Sequence, residues 1–198
     1  RLLLSIAPQV YTPGLGNTLS PGAQTAGVQF SADVRAVDSN YNLIEFKGGP
    51  ENNPDVFFRV LEAAGLAPET DPGNVNLTRG YGTVGFTLIV ATNTPRIHVS
   101  TVVPGFDAFT TGPLTVGASN YVQLHTVLPG ETWYPGGAAG KQGAPAVQTA
   151  GNPFSVEARA VDAYYNKVST NPLVNLALED GFDTPPAANV LSGGFASF

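Results

Sequence analysis

The clearest pattern in the chain is an alternation of apolar and polar residues that occurs twice. In residues 30–36 Phe, Ala, Val and Ala alternate with Ser, Asp and Arg, and residues 154–161 follow a similar order. Period-two alternation with charge on one face predicts a β-strand that covers a core on one side. The surrounding sequence repeats as well, because eleven of the eighteen positions in 25–42 are identical in 149–166, at a constant offset of 124. Two copies of one structural unit are therefore predicted.

Further short apolar segments predict more strands, because each is bounded by Gly, Pro, Asn or Asp. Only 60–65 has the composition of a helical turn. The sequence thus predicts an all-β chain of tandem immunoglobulin-like β-sandwiches of Greek-key topology, with about seven strands in the first. The additional predicted strands are 2–6, 43–47, 56–60, 74–78, 83–91 and 96–103 in the first copy, and 121–128, 167–169, 173–178 and 194–198 in the second.

The second copy has counterparts for only part of the first. Residues 189–198 correspond best to 74–86, so the second sandwich is predicted to lack its last two strands. Such a sandwich exposes an apolar face and unpaired strand edges. We predict units at 1–118 and 119–198, and expect another chain or further sequence to complete the second. The absence of Met, even at position 1, indicates a processed or excised piece.

A Gly- and Pro-rich stretch at 129–150 separates the first two predicted strands of the second copy. Its composition alone is typical of a flexible linker. However, it carries the only Trp of the chain, and the first copy has a shorter counterpart at 11–16. We therefore expect an ordered loop that packs on a neighbouring sheet or subunit.

Composition and charge exclude several classes of partner. The net charge is −6 with only nine Lys and Arg residues, which argues against nucleic acid and against anionic membrane surfaces. No apolar run approaches the roughly 18 residues of a membrane span, so membrane insertion is not expected. The absence of Cys excludes disulfides, Cys-ligated zinc and a thiol nucleophile, and it fits an exposed bacterial surface protein.

Three segments resemble bacterial immunoglobulin-like repeat domains. They read Thr-Ala-Gly-x-x-Phe-Ser, Ala-Val-Asp-x-x-Tyr-Asn and Leu-x-x-Gly-x-x-x-Phe. Such domains occur in invasin-type adhesins and in very large secreted repeat proteins, and filamin repeats are similar. The resemblance implies a secreted, cell-surface location and a role as spacer or interaction surface. The family usually has Asp-x-x-Gly-Asn at the turn, whereas Tyr41 and Tyr165 stand at the Gly position here, which puts the turn geometry in doubt.

The same turns contain the candidate metal ligands. Asp38 with Asn42, and Asp162 with Asn166, could contribute oxygens to a Ca²⁺ site at a domain junction. Calcium needs six to eight oxygens, and one Asp plus one Asn supply far too few. We therefore favour a turn-capping role for these side chains, and expect no cofactor.

Four aromatic residues are candidates for contact with a partner or ligand. Aromatic side chains at the surface can bury at subunit contacts or stack on sugar rings. For these residues we favour packing at an interface, then packing within the domain, and last the binding of a glycan. The four are Trp133, Tyr134, Tyr164 and Tyr165.

Nothing in the sequence forms a catalytic constellation. His98 and His125 each lie in a predicted strand, without a nucleophile elbow or a His-x-x-x-His pair. The chain is therefore expected not to be an enzyme. We predict a structural extracellular protein that forms a stalk, sheath, layer or filament with copies of itself or neighbouring repeats, in its sharper form by strand completion between copies. The alternative is an adhesin or carbohydrate-binding module that uses exposed aromatics.

Overall fold

The computed structural model describes residues 1–46, 53–63, 66–182 and 184–198. These residues form short strands, turns and loops, and none of them lies in a helix. The predicted all-β class is confirmed, and the several small, mostly antiparallel sheets are consistent with a β-sandwich architecture. The chain divides into two compact units, Arg1–Gly117 and Ala118–Phe198, which are called unit 1 and unit 2 below.

Unit 1 contains one three-stranded and one four-stranded sheet. Its strands in chain order are β1 (Leu2–Ile6), β2 (Val10–Thr12), β3 (Gly16–Thr18), β4 (Gln24–Thr25), β5 (Phe30–Ala36), β6 (Asp55–Leu61), β7 (Val75–Asn76), β8 (Tyr81–Phe86), β9 (Arg96–Thr101), β10 (Phe109–Thr110) and β11 (Val116–Gly117). The first sheet has the order β1-β5-β8 and the second β10-β9-β6-β7. A hairpin β2–β3 and a parallel pair β4–β11 complete the unit.

Phe86 joins the two sheets of unit 1. It lies on β8 with 1% of its surface exposed, and its ring stacks on Phe30 of β5 at a centroid distance of 5.7 Å. Phe58 of β6, in the other sheet, meets it edge-on at 5.7 Å. Aromatic pairs in these geometries contribute about 0.5–1.5 kcal/mol beyond their buried area. The alternating residues of β5 therefore face a real core between two sheets, as their pattern predicts.

Three strand predictions in unit 1 are wrong over most of their length. The strand predicted at 74–78 forms only at Val75–Asn76. Residues 43–46 form only one bridge, between Leu43 and Val37, and Lys47 lies outside the described residues. The strand predicted at 83–91 ends at Phe86, because the Glu69 carboxylate accepts the backbone N–H groups that follow, at Ile89 and Val90. A side chain thus replaces the strand partner that a ladder would need.

The helical turn predicted at 60–65 is wrong where the structure describes it. Val60 and Leu61 are the last residues of β6 and pair with β9. Residues 64 and 65 lie outside the described part of the chain. Tertiary pairing has overridden local composition here, as it often does for short segments.

Unit 2 repeats the first sheet of unit 1. Its strands are β12 (Gln123–Val127), β13 (Glu131–Trp133), β14 (Lys141–Gly143), β15 (Glu157–Val161), β16 (Leu173–Val174), β17 (Asn189–Val190) and β18 (Phe195–Ser197). The order β12-β15-β18 matches β1-β5-β8, and the hairpin β13–β14 matches β2–β3. β15 begins at Glu157, later than the alternation from 154 predicts, and residues 167–169 form only one bridge.

The pair β16–β17 corresponds to β6–β7. In unit 1 the Leu77 N–H donates to the Pro54 carbonyl, and in unit 2 the Leu191 N–H donates to the Pro172 carbonyl, both at 3.0 Å. The other edge of β6 pairs with β9, but no strand pairs with the other edge of β16 among the described residues of unit 2. The core of unit 2 is correspondingly small, and consists of Ala158, Ala160, Val174, Leu191 and Ala196.

A buried carboxyl group lies just after β6. Neither side-chain oxygen of Glu62 has a hydrogen-bond partner among the described residues, and both are shielded from solvent. This burial, with the nearby charge of Glu69, raises the pKa of Glu62 to about 7. Burial also raises the pKa of Glu69, although the N–H groups of Val90 and Ile89 act in the opposite direction.

We expect unit 1 to become more stable as the pH falls from 8 to 5. When folding raises the pKa of a carboxyl group, the folded state is most stable at a pH below the pKa of that group in the unfolded chain. This stability is lost as the pH rises through the folded-state pKa, which is about 7 for Glu62. In Glu62→Gln the midpoint of thermal unfolding should be higher at pH 8 and depend less on pH. Circular dichroism melts between pH 5 and 8 measure both. An unchanged pH dependence in the variant would contradict the assignment to Glu62.

Candidate functional site

The Gly- and Pro-rich stretch of unit 2 contains an ordered hairpin. Strands β13 and β14 pair from Glu131 with Gly143 to Trp133 with Lys141. Lys141 Nζ also lies 2.9 Å from the Glu131 carboxylate, which accepts the Leu128 N–H as well. These bonds lower the pKa of Glu131. The hairpin is thus built by its own ladder and side-chain bonds, although its composition is that of a linker.

An Arg side chain between two aromatic rings connects this hairpin to the sheet. The Arg159 guanidinium on β15 lies 4.9 Å from the centroid of Trp133 and 5.0 Å from that of Phe195 on β18, and it pairs with Glu157. Cation–π contacts contribute about 0.5–2 kcal/mol each, and more where water is excluded. We call Arg159, Trp133 and Phe195 the aromatic clamp of unit 2.

Unit 1 has the same clamp with different aromatics. Arg35 of β5 lies 4.7 Å from the Tyr11 ring centroid and 5.0 Å from that of Tyr81, and it pairs with Asp33 at 3.0 Å. Tyr11 belongs to the hairpin β2–β3, as Trp133 belongs to β13–β14. The arrangement of one Arg between two aromatic rings is therefore the same in both units, although both rings differ in residue type.

The turns that contain the candidate metal ligands are capped by their own Asp side chains. Asp162 is fully buried, and Oδ1 accepts the N–H groups of Tyr164 and Asn166, both at 2.9 Å. Its Oδ2 accepts the Ser119 N–H at 2.8 Å and Asn166 Nδ2 at 3.0 Å. Asn166 Nδ2 also lies 3.2 Å from Oδ1, so Oδ1 faces three donors and Oδ2 faces two, and a cation would have to displace them.

Unit 1 has the more exposed version of this turn. Asp38 Oδ1 accepts the N–H groups of Asn40 and Asn42, and Oδ2 accepts Asn42 Nδ2 at 3.0 Å. The bonds from Asn42 lower the pKa of Asp38. Within the described residues no group of three or more His, Cys, Asp or Glu side chains could hold a metal. The geometry is that of an Asx turn, which supports a capping role for Asp38, Asn42, Asp162 and Asn166.

Tyr41 and Tyr165 adopt the left-handed backbone conformation that Gly tolerates best. Gly is the usual residue at this turn position in the repeat domains that the sequence resembles. Their φ angles are 60° at Tyr41 and 62° at Tyr165. This left-handed conformation costs an ordinary residue about 1–2 kcal/mol. The hairpins supply a compensating contact, because Trp133 Nε1 donates to the Tyr165 carbonyl at 2.9 Å, and the Tyr11 hydroxyl donates to the Tyr41 carbonyl at 2.7 Å.

The Tyr rings in turn require glycine in the hairpins. A Cβ atom at Gly140 would lie 2.3 Å from the Tyr165 ring, and one at Gly16 would lie 2.9 Å from the Tyr41 ring. Both glycines also have positive φ, 66° and 84° respectively. The turn and the hairpin thus fix each other, through a hydrogen bond in one direction and a ring contact in the other.

All four candidate residues make contacts within unit 2, through the side chains of Trp133 and Tyr165 and through main-chain hydrogen bonds of Tyr134 and Tyr164. Trp133 and Tyr165 meet directly, and the Tyr164 carbonyl accepts the Gly136 N–H of the hairpin loop at 2.7 Å. The Tyr134 N–H donates to the Gly140 carbonyl at 2.8 Å. The sequence singled out these four residues by type, but it did not predict that Trp133 would contact Arg159, or that Phe195 would contact the same Arg.

An apolar groove lies on the opposite, core-facing side of unit 2. It encloses about 360 Å³. Asn152 and Thr184 contribute polar side chains to its lining, and a side-chain charge is absent from it among the described residues. The sequence predicted an exposed apolar face in the second copy, but it did not predict which residues line this groove. The main apolar lining residues are Phe154, Val156, Leu176, Leu178, Pro186 and Phe198.

The fold and these sites define an all-β repeat protein whose two units share one clamped hairpin and sheet. No protein-family model matches the chain, and no curated protein sequence matches it significantly. Among the described residues no helix is long and apolar enough to cross a membrane.

Proposed function

We propose that the chain is a structural part of an extracellular repeat protein, whose immunoglobulin-like units associate into a stalk, sheath, layer or filament. The observation that carries the proposal is the duplication of the clamp. Arg35 with Tyr11 and Tyr81, and Arg159 with Trp133 and Phe195, hold the same shape with different rings. Selection for shape rather than for particular reactive groups is what a structural repeat requires.

The polar groups of the repeated turn favour the same proposal. The Asp162 carboxylate, Trp133 Nε1 and the Arg159 guanidinium are all engaged by other groups of unit 2. A site for chemistry or for sugar recognition would need polar groups or ring faces that remain available to a ligand. The glycan-binding alternative therefore receives less support, since one face of Trp133 is covered by Arg159.

Association is supported by the surface of unit 2. Its apolar groove is open, and large apolar side chains of the unit are exposed, among them Phe154 and Leu178 in the groove lining and Leu124 on β12. Exposed apolar patches of this kind mark surfaces that bind another protein. The low overall charge of the chain weakens the repulsion between copies.

Sedimentation velocity on the full chain tests the proposal. We expect the average mass to rise with protein concentration over about a hundredfold range, because association follows mass action. Negative-stain electron microscopy of the concentrated sample should then show ordered oligomers rather than amorphous aggregates. A chain that stays monomeric throughout this range would overturn the proposal.

A further inference from the structure

A histidine side chain lies beside the hairpin β13–β14 of unit 2. His125 belongs to β12 and is opposite Arg159 of β15 in the sheet ladder. Its ring contacts the Tyr165 ring at a centroid distance of 5.0 Å, and Lys141 Nζ of β14 lies 3.4 Å from the carbonyl of the next residue, Thr126. The Nε2 atom of His125 is shielded from solvent and has no hydrogen-bond partner among the described residues. Such a site suits a neutral imidazole, because a buried charge without a partner is costly.

Titratable and charged groups surround His125 from the hairpin, from β15 and from the turn after β15. They are Glu131, Lys141, Glu157, Arg159 and Tyr165. The two carboxylates among them are already paired, Glu131 with Lys141 and Glu157 with Arg159. A proton added to His125 therefore introduces a third cation without a carboxylate of its own.

These surroundings lower the pKa of His125. Burial is the largest cause, the charge of Lys141 is the next, and the charge of Arg159 acts in the same direction. The Gly140 carbonyl and the Glu131 carboxylate act in the opposite direction but do not outweigh the other causes. The closed hairpin thus favours the neutral ring.

Unit 1 has an aliphatic residue at the same position. Leu3 of β1 lies opposite Arg35, the clamp residue of β5. His125 has the same place opposite Arg159, the clamp residue of β15. Leu3 is 3% exposed. An apolar side chain is therefore sufficient to pack a hairpin against this sheet, and the packing of the fold does not explain why unit 2 has a titratable group here.

We propose that His125 is an acid-sensitive switch of the hairpin β13–β14, which stays on the sheet while the imidazole is neutral and is released when the imidazole is protonated. Protonation places an N–H on both ring nitrogens, so Nε2 carries a donor that meets no acceptor in the closed state. Release of the hairpin admits water to this N–H and to the new charge. The switch goes beyond the proposed structural function and does not depend on association between chains.

Release of the hairpin opens the aromatic clamp. Two hydrogen bonds join the hairpin to the turn, from Trp133 Nε1 to the Tyr165 carbonyl and from the Gly136 N–H to the Tyr164 carbonyl. Both break on release, and Arg159 loses the ring of Trp133. Unit 2 then presents the outer face of its sheet, whereas unit 1 has no titratable group at this position and keeps its hairpin in place.

The direction of the pH dependence follows from linkage. A released histidine has a pKa of about 6.5, and the closed hairpin lowers it. The stability that the neutral ring gives to the closed hairpin is fully present above about pH 6.5, and it is lost as the pH falls through the pKa of the closed state. The pKa of Glu131 is also lowered, so this carboxylate stays ionised at pH 5 and its pair with Lys141 persists.

Hydrogen exchange of the Trp133 Nε1–H on the full chain tests the switch by NMR. The signal is unambiguous, because the chain has only one Trp. Its protection factor, corrected for intrinsic exchange, should fall about threefold or more from pH 7 to pH 5, because opening takes up a proton. In His125→Leu the protection factor should stay constant over this range. A constant value in the wild type, or the wild-type dependence in the variant, would overturn the proposal.

His98→Leu is the matched control. His98 is the other histidine of the chain and lies on β9 of unit 1. This variant should keep the pH dependence of the Trp133 signal, and a loss equal to that in His125→Leu would contradict the switch. If His125→Leu does not fold, an NMR titration of the His125 ring in the wild type decides. A ring that titrates at or above about pH 6.5 would overturn the proposal.

A backbone amide of the sheet separates release of the hairpin from unfolding of the whole unit. The Ala160 N–H donates to the Gly194 carbonyl at 2.9 Å, within the sheet. At every pH the Gly136 N–H of the hairpin should be less protected than the Ala160 N–H. Equal protection of the two amides would mean that the hairpin opens only together with the sheet, and the switch would then be rejected.

Discussion

Gly140→Ala is expected to lower the free energy of unfolding of unit 2 by about 2–5 kcal/mol. Two effects add. A φ of +66° is costly for any residue with a Cβ atom, and the new methyl group would lie 2.3 Å from the Tyr165 ring. The Tyr165 ring cannot move away freely from this methyl group, because the backbone of Tyr165 has a φ of 62° and its carbonyl accepts the Trp133 Nε1–H. The hairpin or the turn must therefore open.

Trp133 is the only Trp of the chain and lies in this hairpin, so its fluorescence reports on unit 2 directly. Urea unfolding followed by this signal measures the loss. Gly151→Ala is the matched control, because Gly151 also has a positive φ, +81°, but a Cβ atom there would have no neighbouring atom within 4 Å. It should cost only the backbone contribution of about 1–2 kcal/mol. Equal losses in both variants would show that the Tyr165 contact is not important for stability.

Phe86→Ala is expected to destabilise unit 1 by about 3–5 kcal/mol. The substitution removes a ring that is almost completely buried and that contacts Phe30 in its own sheet and Phe58 in the other. The cavity therefore lies between the two sheets, where collapse of one side would disturb the other. In urea unfolding, far-UV circular dichroism should show a transition at a lower urea concentration than in the wild type. The transition reported by Trp133 fluorescence should move to a smaller extent at the same protein concentration.

Phe57→Ala is the control for this second experiment. Phe57 precedes Phe58 on β6 and faces the other side of the strand, where 39% of its surface is exposed. Its removal should cost less than half as much as that of Phe86, because little cavity is created. Similar losses at the two positions would mean that the inter-sheet core is not the main source of stability in unit 1.

The sequence was sufficient to predict those strands whose pattern and pairing agree. Leu2–Ile6 has the predicted bounds, and the repeated alternation marks β5 and most of β15. It was insufficient where a distant side chain decides, as at Ile89, whose N–H is taken by Glu69. Apolar alternation continues there, but alternation reports burial and not the identity of the hydrogen-bond partner.

The contacts of the aromatic clamp could not be predicted from the sequence either, and here the cause is different. Arg35 meets one ring that precedes it by 24 residues and another that follows it by 46, from two different strands. The repeat comparison drew attention to the Arg and to the acid two positions before it, but the rings differ between the units. Strand pairing brings Tyr81 beside Arg35, whereas Tyr11 comes from the separate hairpin β2–β3, so neither identity nor spacing could have revealed the contact.

The hairpin β2–β3 also determines which surfaces of unit 1 remain open. In unit 1 both faces of β1 are buried, since Leu3 and Ser5 are covered on the outer side, where Asn17 of β3 bonds to Ser5 and to the Leu4 carbonyl. β1 therefore has no open face on which another sheet could pack. The outer side of this sheet is open only beyond the hairpin, on β8, where Tyr81 is 40% exposed.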